Sequence, residues 1–420
     1  PAEAPDFVKA VTAKMMEGHG EDIPVSQFPN DGRWPTATSQ WEKRNIAVQV
    51  SQWDPEGCIQ CGRCSLVCPH GCIRMKVATP EALKAAGADA SFKTADAVGK
   101  EFKDMQFTIQ VSTSDCCGCT LCVTVCPGRK KGADGKKTEV RALSMAMNSD
   151  ELKAETSKNW KTFLALPEVD EKLINIGTIK GSQFKRPLFE FSGACAGCGE
   201  TPYIKLVTQM IGDRMLASNA TGCSSIYSGN LPTTPYAKRA DGRGPAWSNS
   251  LFEDNAEHGL GMRQAVDKLA SQALELLAEA VKDGLVKKEL ADALVSAPQK
   301  EQGEIEAQRA RVAELKAALE GKSDKVAKRL YHVADYLVKK SVWIIGGDGW
   351  AYDIGYGGVD HVLASGKNVN ILVMDTEVYS NTGGQMSKAT PRAAVAQFAA
   401  GGKNAPKKNM GLIFSTFRTV

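Results

Sequence analysis

The chain has 420 residues, of which 43% are hydrophobic, and its formal net charge is +4 at pH 7. This length accommodates two or three domains, and a charge so near balance does not favour nucleic acid as a partner. The longest apolar runs, such as residues 342–345 and 371–374, are far shorter than the ~20 residues that span a bilayer, so we predict no membrane association. The 13 cysteines occur without a secretory signal, which predicts a reducing, cytoplasmic compartment and metal ligation.

The first 50 residues are rich in proline and polar residues, and residues 28–32 have the composition of a turn. One helix is predicted here, over residues 6–18. We interpret residues 1–50 as a linker or wrapping arm.

Two cysteine runs dominate residues 51–150. Each run has the spacing C-x2-C-x2-C-x3-C followed by proline, and the runs are Cys58, Cys61, Cys64, Cys68 and Cys116, Cys119, Cys122, Cys126. In paired runs of this kind the fourth cysteine ligates the other cluster. We therefore expect two [4Fe–4S] clusters, one held by Cys58, Cys61, Cys64 and Cys126, the other by Cys116, Cys119, Cys122 and Cys68.

Zinc and disulfides are the alternatives for these cysteines. Zinc needs four thiolates as two pairs, which does not account for a triplet followed by a remote Cys-Pro. Cys72 and Cys117 lie outside the pattern, and we expect both to be small buried hydrophobes. The basic residues 129–131, just after the second run, are consistent with a solvated loop or with a docking rim for an acidic ferredoxin or flavodoxin.

Between the runs we predict a helix over residues 80–86 and a strand over residues 107–111. From about residue 160 strands alternate with helices, which predicts a mostly parallel α/β domain over residues 151–420. Residues 187–191 are a predicted strand, followed by a helix with Thr201 as its N-cap and Pro202 as its first residue. Residues 262–340 are charged and helical, and we predict an inserted helical hairpin that serves as scaffold or subunit contact.

A third cysteine site is suggested by Cys195 and Cys198, in a glycine-rich loop, together with Cys223. Three thiolates supply three corners of a tetrahedral or cubane site. The other ten cysteines belong to the first module, so the fourth ligand is a partner atom or a cysteine beyond Val420. A redox-active C-x2-C pair is the competing interpretation.

A diphosphate and metal site is predicted where two strands end. The strand over residues 342–345 runs into Gly346-Gly347-Asp348-Gly349-Trp350, and the strand over residues 370–374 runs into Asp375-Thr376. Glycine-rich turns let backbone N–H groups reach a phosphate, and an aspartate there can hold Mg2+. A Gly-Asp-Gly followed about two dozen residues later by a second polar loop resembles the thiamine diphosphate signature, with Asp375-Thr376 in place of Asn-Asn. The Thr376 hydroxyl and the Val378 carbonyl are the further predicted Mg2+ ligands.

The whole chain resembles pyruvate:ferredoxin (flavodoxin) oxidoreductase, in its C-terminal portion. The motifs that carry the resemblance are both cysteine runs and residues 40–45, 193–200, 220–225, 347–353 and 376–385. The resemblance implies a small α+β ferredoxin-like domain over residues 51–150 and an α/β thiamine diphosphate-binding domain over residues 151–420. It also implies oxidation of pyruvate with coenzyme A to acetyl-CoA, CO2 and reduced ferredoxin or flavodoxin, usually by a homodimer.

Site residues follow from the resemblance motif by motif. Cys195, Cys198 and Cys223 would hold a third [4Fe–4S] cluster next to thiamine. Glu200 and Cys223 would touch thiamine diphosphate, and Asp348, Thr376 and the Val378 carbonyl would hold Mg2+. Asn381 would reach toward the substrate, and together with Glu200 it is the expected catalytic residue. The residues expected to line the diphosphate are Gly347, Asp348, Gly349, Trp350, Thr376, Glu377, Val378, Tyr379, Ser380 and Asn381.

Three other functions remain open. The first is an oxidoreductase for a different 2-oxoacid, such as 2-oxoglutarate, a branched-chain oxoacid or indolepyruvate. The second is a non-catalytic electron-transfer subunit, and the third is a zinc-dependent structural module. The chain begins at Pro1 and ends at Thr419-Val420, after a predicted strand over residues 411–417, so both ends look cut from a longer polypeptide. We therefore expect the N-terminal domains of the same enzyme as partners, and poor or no turnover by this chain alone.

Overall fold

A computed structural model describes residues 2–229 and 232–417. The chain divides into two compact units, one of Pro1–Asp213 with Cys223–Pro245 and one of Arg214–Gly222 with Ala246–Val420. This division differs from the predicted boundary near residue 150, because residues 150–213 pack within the same unit as the cysteine runs. The functional domains therefore stay a prediction.

The first unit is built from short strands and helices. Its strands are β1 (Gln49–Trp53), β2 (Ile73–Ala78), β3 (Ala95–Asp96), β4 (Gln106–Val111), β5 (Arg129–Lys131), β6 (Lys137–Arg141) and β7 (Leu143–Met147). Its helices are α1 (Ala13–Met16), preceded by a π-helical turn at Val8–Thr12, α2 (Arg63–Val67), α3 (Pro80–Ala85), α4 (Leu121–Thr124), α5 (Asp150–Ala165), α6 (Ile179–Gln183), α7 (Thr201–Ile211) and α8 (Cys223–Ser228). The predicted helices over residues 6–18 and 80–86 and the strand over residues 107–111 are confirmed.

An antiparallel sheet, β2-β4-β3, carries the core of this unit, with Ile73 opposite Val111. Phe107 is fully buried and packs edge-on against Trp53 and Phe184. The buried Cys64 belongs to the same hydrophobic cluster. The smaller pairs β1-β7 and β5-β6 are also antiparallel.

The second unit is α/β. Its strands are β8 (Met215–Ala220), β9 (Ala246–Ser250), β10 (Ser341–Gly347), β11 (Asn370–Met374), β12 (Val378–Tyr379) and β13 (Gln385–Met386). Its helices are α9 (Asn255–Lys282), α10 (Lys288–Ser296), α11 (Gln302–Leu319), α12 (Lys325–Val333), α13 (Tyr356–Ala364) and α14 (Met410–Phe414). Strands β11-β10-β8-β9 form a parallel sheet in that order, which confirms the predicted parallel α/β architecture.

Helix α9 packs closely on this sheet, because a Cβ at Gly259 would lie 2.3 Å from the Ile344 side chain. The predicted helical insertion contains four helices, α9 to α12, rather than a hairpin of two. They share a core to which α11 contributes four buried apolar side chains: Ile305, Val312, Leu315 and Leu319. No helix in the described residues is both long and apolar enough to cross a membrane.

Three local predictions are wrong. Residues 187–191 form no strand and make a single bridge, Phe189 to Tyr236, because Pro235 has no N–H to donate to Glu190 and the Leu188 N–H donates to Thr208 Oγ1 instead. Helix α7 begins one residue earlier than predicted, with Glu200 as N-cap and Thr201 helical. The predicted strand over residues 411–417 contains most of helix α14, whose Asn409 side chain caps the Leu412 N–H. Thr419 and Val420 lie outside the described residues.

Candidate iron–sulfur and cofactor sites

Two cavities of the first unit divide the eight run cysteines into sets of four. We call the first cysteine cavity the one lined by Cys58, Cys61, Cys64 and Cys126. The second cysteine cavity is lined by Cys68, Cys116, Cys119 and Cys122, with Cys72 and Cys117 also at its wall. Each set takes three cysteines from one run and the fourth from the other. The structure therefore brings together the same two groups that the spacing predicts.

The first C-x2-C turn of each run and the turn at Cys195 have a left-handed residue at the same position. The residue two positions after the first cysteine is left-handed in each, with φ of +54° at Gln60, +70° at Gly118 and +75° at Gly197. Backbone N–H groups point at sulfur in the same way, from Gln60 to Cys58 Sγ at 3.3 Å and from Gly118 to Cys116 Sγ at 3.4 Å. The loop at Cys195 is thus folded like the two loops that begin the ferredoxin-type runs.

The spacing of the sulfurs favours a cluster over zinc. Zinc bound tetrahedrally at about 2.3 Å needs its thiolates within roughly 4 Å of one another. Within residues 2–229 and 232–417, donor atoms of three potential ligands lie within 4.8 Å of one another at His19, Glu21 and Asp22, all exposed, and at no set of cysteines. No three sulfurs of either cavity therefore lie as close to one another as a shared zinc ion requires.

Burial controls the ionisation of these thiols. It raises the pKa of Cys116 to about 12 and the pKa of Cys122 to about 11. Burial also raises the pKa of Cys64. Thiolates at Cys64, Cys116 and Cys122 consequently need a cation to be stable, and ligated iron would supply that charge.

Two polar side chains beside the second cysteine cavity were not predicted from the sequence. His70 lines the cavity and is 6% exposed; its Nδ1 lies 3.1 Å from the Ser192 carbonyl, and its Nε2 has no hydrogen-bond partner among the described residues. Lys205 is 1% exposed and donates to the Leu66 and Cys68 carbonyls, each at 3.1 Å. Burial lowers the pKa of Lys205 to about 8. Lys205 lies on the buried face of α7, and nothing in the sequence distinguishes it from an exposed lysine.

The third set of cysteines lies in the same unit, with Cys195 exposed and Cys198 half-buried. Cys223 begins helix α8, and Tyr227 of that helix donates to Glu200 Oε2 at 3.0 Å. The Glu200 N–H in turn points at Cys198 Sγ, at 3.4 Å. These contacts place Glu200, the predicted thiamine contact, beside the segments that carry the three cysteines.

Gly197 connects this third set to the second cysteine cavity. A Cβ at Gly197 would lie 3.7 Å from Cys119 Cβ, so the two loops are in contact. The Cys117 thiol is the foremost cause that lowers the pKa of Cys119, to about 6. The contact of Gly197, which directly precedes Cys198, with Cys119 is a short path between the two sites.

The predicted metal ligands of the second unit converge at the carboxyl ends of β10 and β11, which are adjacent and parallel. Thr376 Oγ1 lies 3.2 Å from Asp348 Oδ1 and 3.1 Å from the Val378 carbonyl oxygen. Ser387, which the sequence did not single out, donates to Asp348 Oδ2 at 2.6 Å. Asp348 is 1% exposed, and this burial raises the pKa of its carboxyl group. Three oxygens of the type that Mg2+ prefers therefore lie within reach of one another.

The loops around this oxygen cluster hold the remaining predicted residues. A Cβ at Gly349 would lie 2.3 Å from the Tyr379 ring, whereas at Gly347 the nearest atom would be 3.9 Å away. Ser380 lies 3.3 Å from Thr376 Oγ1, and Asn381 is exposed. Glu377 has a φ of +67° and pairs with Lys407 at 3.2 Å.

Trp350 is fully buried in the hydrophobic core, and its Nε1 has no hydrogen-bond partner within residues 2–229 and 232–417. Its side chain packs inside the unit, and only its backbone is available to a bound diphosphate.

Comparison with known proteins identifies both the domain type and the relatives. Residues 57–129 match the model of a 4Fe-4S dicluster domain, and residues 1–47 match a domain of unknown function. A putative pyruvate-flavodoxin oxidoreductase of Synechocystis sp. is 56% identical, with 100% of this chain and 34% of the relative aligned. The pyruvate:ferredoxin oxidoreductase of Moorella thermoacetica is 51% identical, with 99% of this chain and 35% of the relative aligned. A probable pyruvate-flavodoxin oxidoreductase of Escherichia coli is 50% identical over 97% of this chain and 34% of its own length.

The chain thus spans about a third of the length of these relatives. It contains a ferredoxin-like 4Fe-4S dicluster domain and a mixed α/β unit with a parallel sheet. Identity at this level over the whole chain makes it homologous, from one end to the other, to one portion of the pyruvate-flavodoxin and pyruvate:ferredoxin oxidoreductases.

Proposed function

We propose that this chain is the electron-transfer and thiamine diphosphate-binding portion of an enzyme that oxidises pyruvate with coenzyme A. The products are acetyl-CoA, CO2 and reduced ferredoxin or flavodoxin. The observation that carries the proposal is the division of eight cysteines into two cavities of four, each drawing on both runs. The relatives' names supply the substrate and the acceptor, and the oxygen cluster at Asp348 supports the cofactor.

The first and second cysteine cavities each hold a [4Fe–4S] cluster in this proposal. Cys195, Cys198 and Cys223 hold a third, with a fourth ligand from outside these cysteines. Electrons enter at the third site and pass to the second cavity across Gly197 and Cys119, since these are in contact. From there they reach the first cavity, because Cys68 and Cys126 each belong to one run and line the cavity of the other.

Asp348, Thr376 and the Val378 carbonyl hold Mg2+ in this proposal, and their mutual hydrogen-bond distances fit a shared cation. Gly347, Gly349 and the loop from Thr376 to Asn381 line the diphosphate; that Glu200 and Cys223 contact thiamine is implied by the resemblance alone. Thiamine diphosphate, when bound, supplies the electron sink for decarboxylation. The protein's own contribution is to fix the diphosphate through the metal and to orient pyruvate toward Asn381.

The partners are ferredoxin or flavodoxin, pyruvate, coenzyme A and, in a homodimer, a second copy of the enzyme. Oxidation of another 2-oxoacid is the alternative within the same class. A cluster-carrying subunit without catalysis is the alternative from another class, and the oxygens around Asp348 favour the enzyme over it. We expect this chain alone to bind the clusters of the two cysteine cavities but to turn over little or not at all.

Calorimetric titration of the chain with thiamine diphosphate and Mg2+ tests the proposed function. The chain should bind both, Asp348→Asn should abolish Mg2+-dependent binding, and Asp292→Asn, an exposed residue of the same unit, should bind normally. Iron and sulfide with no thiamine diphosphate binding in any variant would leave the electron-transfer subunit as the function. Pyruvate, 2-oxoglutarate and branched-chain oxoacids, each tested with coenzyme A and flavodoxin, then identify the substrate of the longer enzyme.

A further inference from the structure

The segment that matches a domain of unknown function ends beside the second cysteine cavity. It covers residues 1–47, and its last residues contact the loop that leads into the second cysteine run. The Asn45 N–H donates to the Ser114 carbonyl at 3.1 Å. Lys43 Nζ lies 2.6 Å from Asp115 Oδ2, and Asp115 directly precedes Cys116.

The Lys43–Asp115 ion pair is strongly asymmetric in its exposure. The Asp115 side chain is 2% exposed and the Lys43 side chain 38% exposed. Lys43 also lies over the Phe191 ring, 4.8 Å from its centroid, so its ammonium group is held on both sides. A carboxylate buried this deeply is costly without a counter-charge, and Lys43 provides it.

Asp115 is in turn part of the wall around the second cavity. Its side chain accepts a hydrogen bond from Ser112 Oγ at 2.5 Å, and its carbonyl accepts one from Cys72 Sγ at 3.0 Å. Cys72 lines that cavity, and its N–H points at Cys68 Sγ at 3.3 Å. The ion pair therefore sits next to two expected ligands, Cys116 in sequence and Cys68 through Cys72.

The neighbours of Lys43 fix its position independently of Asp115. Glu42 Oε2 accepts a hydrogen bond from Thr233 Oγ1 at 2.7 Å, and Glu42 Oε1 accepts one from Arg44 at 2.7 Å. Both contacts lie within the first unit. Consecutive residues 42–45 thus bind two separate segments, one on each side of Lys43.

We propose that Lys43 is a positioning residue that sets the reduction potential of the [4Fe–4S] cluster in the second cysteine cavity. This inference rests on the proposed function, since it requires a cluster held by Cys68, Cys116, Cys119 and Cys122. The charge around a cluster is one of the factors that set its potential. Lys43 neutralises Asp115, so the added electron is not repelled by an unpaired carboxylate beside Cys116. In this proposal, the segment of residues 1–47 tunes electron transfer through Lys43.

The test is a potentiometric titration, followed by EPR, of the chain reconstituted anaerobically with iron and sulfide. Lys43→Met should make one of the two cluster potentials more negative, with the equilibrium constant for reduction falling about tenfold, or 59 mV for a one-electron couple. Asp115→Asn, which leaves Lys43 uncompensated, should shift the same potential in the opposite direction. Lys43→Arg and the double variant Lys43→Met/Asp115→Asn should both return near the unmodified value.

Opposite shifts in the two single variants are the signature of charge, because loss of structure would move both potentials together. Lys9→Met, in the same segment and 47% exposed at its side chain, is the matched control and should shift neither potential. Unchanged potentials in Lys43→Met and Asp115→Asn, or shifts in the same direction, would overturn the inference. If Lys43→Met does not retain the cluster, the isosteric Asp115→Asn decides alone. Absence of iron from the unmodified chain would instead contradict the proposed function.

Discussion

A methyl group at Gly349 is expected to disrupt the oxygen cluster at the end of β10. A Cβ there would lie 2.3 Å, 2.5 Å and 2.9 Å from three atoms of the Tyr379 ring, all closer than real contacts allow. Tyr379 must move, and with it Val378, whose carbonyl lies 3.1 Å from Thr376 Oγ1. Overpacking of this kind costs about 1–3 kcal/mol, and each kcal/mol lowers the melting temperature by roughly 2–4 °C.

Gly347 is the matched control from the same Gly-Asp-Gly turn. The nearest atom to its Cβ would be the Met374 carbonyl oxygen at 3.9 Å, so Gly347→Ala should melt within about 0.5 kcal/mol of the unmodified chain. Gly347→Ala should weaken only the binding of thiamine diphosphate, whereas Gly349→Ala should lower both stability and Mg2+-dependent binding. Thermal melting and calorimetric titration measure the two effects. Equal stability of the two variants would refute the packing argument.

Three further substitutions test other parts of the molecule. Lys205→Met leaves the Leu66 and Cys68 carbonyls without their buried donor and should lower the free energy of unfolding by about 1–3 kcal/mol, measured by thermal melting. Lys288→Met, at an exposed ion pair, should lower it by less than about 0.5 kcal/mol. Equal melting temperatures of the two variants would contradict this role for Lys205. Gly197→Ala places a side chain at a φ of +75° against Cys119. In the longer enzyme, where the third cluster has its fourth ligand, it should slow electron transfer between the third site and the second cavity in stopped-flow reoxidation. Gly199→Ala, in open space, is the control, and identical rates would argue against this path. Cys126→Ser should remove the cluster of the first run although Cys126 lies in the second run, and Cys72→Ser should keep both clusters; EPR that shows the reverse would disprove crossed ligation.

Regular spacing made the cysteine sites predictable. A C-x2-C-x2-C-x3-C run leaves its fourth cysteine too constrained to join its own triplet, so pairing across runs follows from the motif. The apolar run at residues 370–374 likewise predicted a strand that coincides with β11, Asn370–Met374. The parallel neighbours β10 and β11 then placed the loops of Asp348 and Thr376 side by side, as expected at a sheet's carboxyl edge.

Contacts between distant positions were not predictable in the same way. Lys205 and Leu66 are 139 positions apart, and Ser387 and Asp348 are 39 apart. Neither Lys205 nor Ser387 belongs to a motif, and a lysine within an amphipathic helix is normally expected at the surface. The failed strand at residues 187–191 has a related cause, since a strand requires a partner that the local pattern does not reveal. The missing N–H of Pro235 and the hydrogen bond from the Leu188 N–H to Thr208 limited the pairing to the single Phe189–Tyr236 bridge.

The central claim is that two [4Fe–4S] clusters occupy the two cysteine cavities, and anaerobic iron and sulfide quantitation with EPR of the reduced chain tests it most directly. About eight irons and eight sulfides per chain, with the spectrum of two interacting clusters, are the predicted result. About twelve irons would add a cluster at Cys195, Cys198 and Cys223 with a ligand from outside the cysteines. Zinc in place of iron, in a chain purified anaerobically, would contradict the account.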